Sequence, residues 1–147
     1  MTRQALPVLD RNKYPDSSNI EKGGYVLLDN DNPDIMILAT GSEVWVALEV
    51  AEKLNDYNVK VVNLACWELF DEQEETYKNE VLKSKDSTLI VSIEAGITDG
   101  WQKYTGRKGL NIGINTFGES APGSDVADHF GLTPEKIYHK ILKRAKK

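Results

Sequence analysis

The chain has 147 residues and a formal net charge of -5, with 40% hydrophobic and 28% charged residues. This length suits one domain with a single core, and the acidic balance argues against a dedicated nucleic-acid binder, which would carry a basic stripe. No run approaches the roughly 18 apolar residues of a membrane helix, and the start lacks the apolar core of a signal peptide. A single cysteine excludes an internal disulfide, so we expect a reducing, cytoplasmic setting without membrane or nucleic-acid partners.

The amino-terminal part of the chain predicts an arm followed by two strands. Residues 1–22 hold two prolines and a Ser-Ser-Asn run, a composition typical of an irregular connecting segment. Predicted strands follow at 24–29 and 34–40, and only the turn-forming sequence "NDNP" separates them. A connection this short favours a hairpin, so we expect these two strands to run antiparallel.

The rest of the chain alternates between helices and strands. Apolar residues recur at helical spacing over 43–55, behind a Thr40-Gly-Ser-Glu43 sequence typical of a capping box. Further strands are predicted at 58–65, 87–95 and 110–116, and further helices at 70–83, 99–106, 124–131 and 133–147. The last of these helices has Thr133 as its predicted N-cap.

Such alternation implies crossover connections. The prediction is therefore a three-layer α/β/α sandwich around a mixed sheet of about five strands, with the first strand antiparallel. A basic cluster at the chain end suits the negative end of the final helix dipole, and we prefer this interpretation to a contact with RNA. The cluster consists of Lys143, Arg144, Lys146 and Lys147.

Two stretches invite a catalytic or binding interpretation. "ILATGSEV" (37–44) puts a glycine and a serine between a strand and a helix N-terminus, where α/β folds bind phosphates. Neither phosphate-binding glycine motif is present, so an ordinary capped turn is the favoured interpretation. "CWELFDEQ" (66–73) offers Cys66 as a nucleophile, but its histidine partners would have to be His129 or His139, far along the chain. We therefore expect Cys66 to pack as a small hydrophobe, and no metal-binding spacing is visible.

Glu94 is a more interesting carboxylate because it ends a predicted central strand. The carboxyl edge of such a strand is where α/β proteins collect functional groups. A buried carboxylate there must be paired or hydrogen-bonded, and we expect it to brace neighbouring loops through backbone amides near Gly96. The aromatic residues Trp45, Trp67, Trp101 and Tyr104 are either core or interface, and the sequence does not separate these cases.

Seven segments, in order, resemble the carboxy-terminal domain of transketolase across essentially the whole chain. Three of them are especially specific: "CWELFDEQ", "SIEAGITDGWQKYTG" (92–106) and "NTFGESAPG" (115–123). The others are "TRQALP" (2–7), "EKGGYVL" (21–27), "ILATGSEV" and "FGLTPEKI" (130–137). The resemblance implies an arm at 1–22, left from the preceding domain and linker, and a carboxy-terminal domain at 23–147.

The resemblance also implies an activity. Transketolases move a two-carbon ketol unit from a ketose phosphate to an aldose phosphate, using thiamine diphosphate and a divalent metal such as magnesium or calcium. Their subunits carry three α/β domains, and the active site lies between the first two, across a homodimer interface. The third domain, the one resembled here, supports the dimer and holds no recognised catalytic group.

One residue carries a role by resemblance: Arg3, in the Thr-Arg-Gln segment, is expected to bind the sugar phosphate in the full-length enzyme. A guanidinium grips phosphate through two parallel hydrogen bonds. The Gly-Asp-Gly cofactor motif is absent, and "DGW" (99–101) does not replace it. We therefore expect the isolated chain to be inactive, to hold no cofactor or metal of its own, and to represent a fragment of a longer enzyme or a solitary domain.

Two alternatives stay open at this point. The first is a small regulatory module that binds an anion or a nucleotide at the loops 40–43 and 94–98, although Glu43 places negative charge there. The second is the equivalent domain of another thiamine-dependent enzyme, such as a deoxyxylulose-phosphate synthase or a 2-oxo-acid dehydrogenase component. The pairing of Thr-Arg-Gln with Cys-Trp-Glu-Leu-Phe speaks against the second.

Overall fold

A computed structural model describes residues 5–145, which form five strands and six α-helices. The strands are β1 (Gly24–Leu28), β2 (Ile35–Ala39), β3 (Val59–Leu64), β4 (Leu89–Ile93) and β5 (Leu110–Ile112). The helices are α1 (Glu43–Lys53), α2 (Trp67–Asp71), α3 (Glu75–Val81), α4 (Gln102–Thr105), α5 (Gly123–Phe130) and α6 (Pro134–Ala145). A 3-10 turn over Ser17–Lys22 precedes β1.

The five strands form one mixed sheet in the order β1-β3-β2-β4-β5. Strands β2 to β5 all run parallel to one another. β1 pairs antiparallel with β3, with Gly24 opposite Leu64. The predicted mixed sheet of about five strands and its antiparallel first strand are confirmed. The predicted hairpin is wrong, because β3 lies between β1 and β2.

The central position of β2 follows from its composition. All five of its residues are buried, and they alternate between two apolar clusters that cover opposite faces of the sheet. Ile35, Ile37 and Ala39 face the cluster that includes α1 and α6, whereas Met36 and Leu38 face the cluster of α2, α3 and α4. A strand that is apolar on both faces is stable only between two layers of helices, so the chain forms the predicted three-layer sandwich.

Two helix predictions need correction. The helix predicted over 70–83 is two helices, α2 and α3, with a break at Glu72–Glu74. The capping box before α1 does not form: the Ser42 hydroxyl donates to the Glu43 carboxylate at 2.7 Å, and no side chain caps the helix. Before α6, in contrast, the Lys136 amide donates to the Thr133 hydroxyl at 3.4 Å, as expected of an N-cap.

The arm packs on the domain through a small number of anchors. Tyr14 belongs to the buried cluster on the α1 side of the sheet, and the Trp45 indole donates to the Pro7 carbonyl at 2.7 Å. The arm enters β1 through Gly23, which has a φ of 77°. A Cβ there would lie 2.3 Å from the Phe70 nitrogen and 2.4 Å from the Cys66 carbonyl oxygen, so only glycine fits.

Candidate functional site

The carboxyl ends of β2, β3, β4 and β5 meet at one edge of the sheet, the edge where open α/β folds bind ligands. Two adjacent clefts of about 530 Å³ open there. The acidic cleft includes Thr40, Cys66, Glu68, Glu94 and Asp99 in its lining. The apolar cleft is lined by Ala95, Gly96, Ile97 and residues 114–118, none of which carries a charge.

Glu94 acts as a brace within the acidic cleft. Its carboxylate accepts a hydrogen bond of 2.7 Å from the indole N–H of Trp101, a side chain that is only 1% exposed. The expectation that Glu94 braces a neighbouring loop is therefore confirmed, although the donor is an indole and not a backbone amide near Gly96. This bond uses one carboxylate oxygen to hold the 94–101 loop onto the end of β4.

Cys66 lies in the same cleft without the surroundings of a nucleophile. Its thiol donates to the Glu68 carboxylate at 3.4 Å, and the described lining of the cleft includes none of the lysine, arginine or histidine side chains that accompany a reactive cysteine. No histidine lines the cleft. His139 instead pairs with Glu135 at 2.9 Å, and the His129 ring packs on Phe130. The structure thus separates the residues that a Cys–His pair would need.

The turn before α1 does not favour an anion either. The Glu43 amide donates to the Thr40 carbonyl at 3.2 Å, so the first turn satisfies that donor internally. The Glu43 carboxylate also sits at the helix N-terminus, where the dipole favours a negative group. This position is therefore already taken by a side chain of the protein, and the structure supports the interpretation of an ordinary turn over that of a phosphate site.

The aromatic residues divide between core and surface. Trp67, Trp101 and Tyr104 form an edge-to-face cluster, with ring centroids 5.0 Å apart for the two tryptophans and 5.4 Å apart for Trp67 and Tyr104. Gly100 lets this cluster close, since its φ is 86° and a Cβ would lie 2.6 Å from the Trp67 ring. Trp45 is different, because it lies half-buried under the arm that it holds.

A polar network that the sequence analysis missed joins α2 to α4. Asp71 accepts hydrogen bonds from the Lys103 ammonium and, at 3.0 Å, from the Tyr104 hydroxyl. Desolvation of the Asp71 carboxyl opposes its ionisation, but the bonds from Lys103 and Tyr104 outweigh this effect and hold the pKa of Asp71 below its usual value. Desolvation and the bond to Asp71 both raise the pKa of Tyr104. No sequence pattern predicted this contact, because Lys103 follows Asp71 by 32 positions.

Within residues 5–145, no group of three or more histidine, cysteine, aspartate or glutamate side chains is placed to hold a metal ion. No helix in that same range is long and apolar enough to cross a membrane. Arg3, the one residue with an expected substrate role, lies outside the described residues. At the carboxyl edge the described contacts hold loops in place, through the bonds from Trp101 to Glu94 and from Cys66 to Glu68.

Comparison with known proteins explains this arrangement. The transketolase-like TK C-terminal domain family matches residues 23–133. Transketolase of Aquifex aeolicus is 47% identical over 147 residues, which cover 98% of this chain and 21% of the relative. Transketolase 2 of Escherichia coli K12 is 44% identical over 149 residues, which cover 97% of this chain and 22% of the relative.

Solved structures agree with these relatives. The crystal structure of the R525L transketolase mutant from Pichia stipitis superimposes with a TM-score of 0.87 at 35% identity, covering 98% of this chain and 20% of that one. The fold and its braced edge define a three-layer α/β sandwich domain. The chain belongs to the transketolase C-terminal domain family, and it spans about a fifth of the length of the relatives that it matches.

Proposed function

We propose that this chain works as the carboxy-terminal domain of an enzyme that transfers a two-carbon ketol unit from a ketose phosphate to an aldose phosphate. The observation that carries the proposal is the continuous match to transketolases over 98% of the chain at 47% identity. Within that enzyme the domain supports assembly and not the chemistry. In support, the groups that looked reactive at the carboxyl edge are engaged with one another: Glu94 with Trp101, and Cys66 with Glu68.

Thiamine diphosphate and its divalent metal would be bound by other domains. Such a metal takes oxygen ligands, and among residues 5 to 145 no group of three or more histidine, cysteine, aspartate or glutamate side chains is placed to hold a metal ion. No step of the ketol transfer is therefore assigned to these residues. Thiamine chemistry and a place in the pentose phosphate pathway therefore belong to the proposed full enzyme.

For the division of the chain, we propose a boundary after residue 22, with the arm before it linking to a preceding domain. The support is Gly23, where the left-handed turn ends the arm and the Gly23 carbonyl accepts a 2.9 Å hydrogen bond from Cys66. Arg3 on this arm would bind the phosphate of the sugar substrate once the preceding domain positions it. A guanidinium is suited to that task by its charge and fork geometry.

We further propose that the full enzyme is a homodimer in the cytoplasm, in which this domain adds to the subunit contacts. The single cysteine suits a reducing compartment. Relatives named as chloroplastic transketolases, such as that of Solanum tuberosum, make a plastid the compartment to compare. Fractionation of cells that express the full protein, followed by size measurement of the recovered enzyme, tests both statements.

A chimera tests the proposed function. The carboxy-terminal fifth of Aquifex aeolicus transketolase is replaced by this chain, and ketol transfer is compared with that of the parent enzyme and of a version truncated before the replaced part. We expect the chimera to recover activity that the truncated version lacks, and this chain alone to show none. A chimera that folds and binds thiamine diphosphate but stays as inactive as the truncated version would overturn the assembly role.

A further inference from the structure

An unusually apolar surface lies beside the acidic cleft, at the carboxyl edge of the sheet. We call it the edge face and define it by Leu6, Ile97, Ile114 and Phe117. Phe117 is 97% exposed and Ile97 is 61% exposed, on loops where hydrogen bonds hold the backbone. Exposed apolar groups that cluster in this way mark interaction surfaces, whereas single exposed apolar residues need no explanation.

The edge face is concave, and the described residues of its two hollows carry little charge, although Ile97 also borders the acidic cleft. The apolar cleft continues into a groove of about 310 Å³ that also contains Ala95 and Ile114. Among residues 5–145, Glu43 is the single charged residue that lines either hollow, although charged residues make up 28% of the chain. A partner with apolar side chains would therefore bury few charged groups here, and the free-energy cost of desolvating charge on binding would be small.

The loops that present the face are held in place before any partner arrives. The Ile114 amide donates to the Gly96 carbonyl at 2.7 Å, which ties the two loops together. The Asn115 side chain accepts from the Thr98 amide at 2.9 Å and from its hydroxyl at 3.0 Å. A surface fixed in this way loses little conformational freedom on binding, which favours association.

The path of the arm indicates which part of the full polypeptide covers the edge face. The arm crosses this groove, where Leu6 forms part of the lining and the Trp45 indole holds the Pro7 carbonyl. In the relatives this domain makes up about a fifth of the chain and is named the C-terminal domain. The preceding polypeptide therefore joins the domain next to the edge face, and a short tether gives whatever it carries a high effective concentration there.

We propose that the edge face docks the preceding domain of the transketolase polypeptide, with Ile97 and Phe117 as its apolar anchors. This inference rests on the proposed function and names the surface through which the assembly role is carried out. A second copy of this domain is the competing occupant. The two differ in a measurable way, because tethered docking is independent of protein concentration whereas self-association is not.

Hydrogen exchange of the Aquifex chimera tests the docking directly. We expect the amides of residues 95–98 and 114–118 to exchange on the order of tenfold or more slowly in the chimera than in this chain alone. The amide of Ile20, on an apolar residue that is 48% exposed outside both hollows, should exchange at the same rate in both. Equal exchange of the edge-face amides in an active chimera would overturn the docking and leave the proposed function standing.

Substitutions supply a second, independent readout. The double variant Ile97→Ser with Phe117→Ser is made in the chimera beside the control Ile20→Ser. We expect the double variant to lower the melting temperature of the chimera and to speed proteolysis in the arm about tenfold. Its melting temperature in this chain alone should stay within a few degrees of the parent value, because the replaced side chains are exposed there.

Three further results would each contradict either the docking or the proposed function. A double variant that matches Ile20→Ser in the chimera contradicts the docking. Concentration-dependent dimers of this chain that disappear in the double variant assign the face to a second copy and also contradict it. An unsubstituted chimera that is inactive, although its edge face is protected, refutes the proposed function and not the docking.

Discussion

At the scale of single residues, two sequence motifs meet at one glycine. Gly23 belongs to "EKGGYVL", and the backbone atoms that crowd it belong to Cys66 and Phe70 of "CWELFDEQ". The sequence could not show this contact, since Cys66, whose amide donates to the Gly23 carbonyl, lies 43 positions further along the chain (66 minus 23). What holds "CWELFDEQ" in place is thus packing and backbone geometry, in line with the expectation that Cys66 is no nucleophile.

Replacing Gly23 by alanine tests this crowding. We expect Gly23→Ala to lower the free energy of unfolding by about 2–4 kcal/mol, because the left-handed backbone and the overlap with two backbone atoms both oppose a Cβ. Urea denaturation of this chain measures the change. Gly41→Ala is the matched control, since Gly41 has a φ of 59° with nothing within 4 Å, and should lose only about 1–2 kcal/mol. Equal losses at the two positions would show that crowding at Gly23 contributes nothing.

At the scale of elements, the sequence predicted the kind and order of nearly every helix and strand but not their pairing. The periodicity of α1 and the apolar run of β2 were sufficient because each is a local pattern. The hairpin prediction failed because a short loop between β1 and β2 does not reveal that a later strand can insert between them. The apolar strand β3 does so and pairs with both. The single helix predicted over 70–83 also failed: the chain breaks at residues 72–74, between Phe70 and Val81, although both side chains belong to the same buried cluster.

The two N-caps offer a prediction at this scale. Thr133→Ala removes a hydroxyl that accepts from the α6 backbone, and we expect a loss of about 1 kcal/mol in the free energy of unfolding. Ser42→Ala removes a hydroxyl that bonds to a carboxylate and not to the α1 backbone, and we expect a loss below about 0.5 kcal/mol. Thermal denaturation of both variants compares them. A larger loss at Ser42 than at Thr133 would show that the Ser42 hydroxyl, and not only its bond to Glu43, stabilises the start of α1.

At the scale of the whole molecule, the two faces of the sheet are stabilised differently. The α1 side is an extended apolar layer, whereas the α2 side combines a smaller apolar cluster with the Asp71 network between helices. A candidate site could be located from the sequence, because Glu94 and Cys66 end strands whose carboxyl edge is predictable. The hydrogen-bond partners of these groups could not be predicted. Only the structure shows that Trp101 donates to Glu94 and that Cys66 donates to Glu68.

The Asp71 network makes stability depend on pH. The pKa of Asp71 is lower in the folded protein than its ordinary value of 3.8. Its ionised form thus adds stability that is present above that value and is lost as the pH falls through the folded pKa. We expect Asp71→Asn to be destabilised at pH 7 and the difference from the parent chain to shrink by pH 3, as measured by urea denaturation.

The exposed residue Asp86 provides the control for that measurement. Asp86→Asn changes the charge by the same amount without touching the network, so its stability should follow the parent chain at both pH values. A gap between Asp71→Asn and the parent chain that is equally large at pH 3 would mean that the carboxylate charge is not what stabilises the network.

The place of β1 in the sheet also has a consequence for synthesis. β1 is made before the other described strands of this domain, yet its partner β3 ends at Leu64, opposite Gly24 and 40 residues later (64 minus 24). At ordinary elongation rates the ribosome needs on the order of 2–8 seconds for that stretch. For most of this interval Tyr25, Val26 and Leu28 lack the β3 residues with which they pair. The nascent chain therefore carries an open apolar edge that a chaperone can bind, and a pause in translation before Leu64 would prolong its exposure.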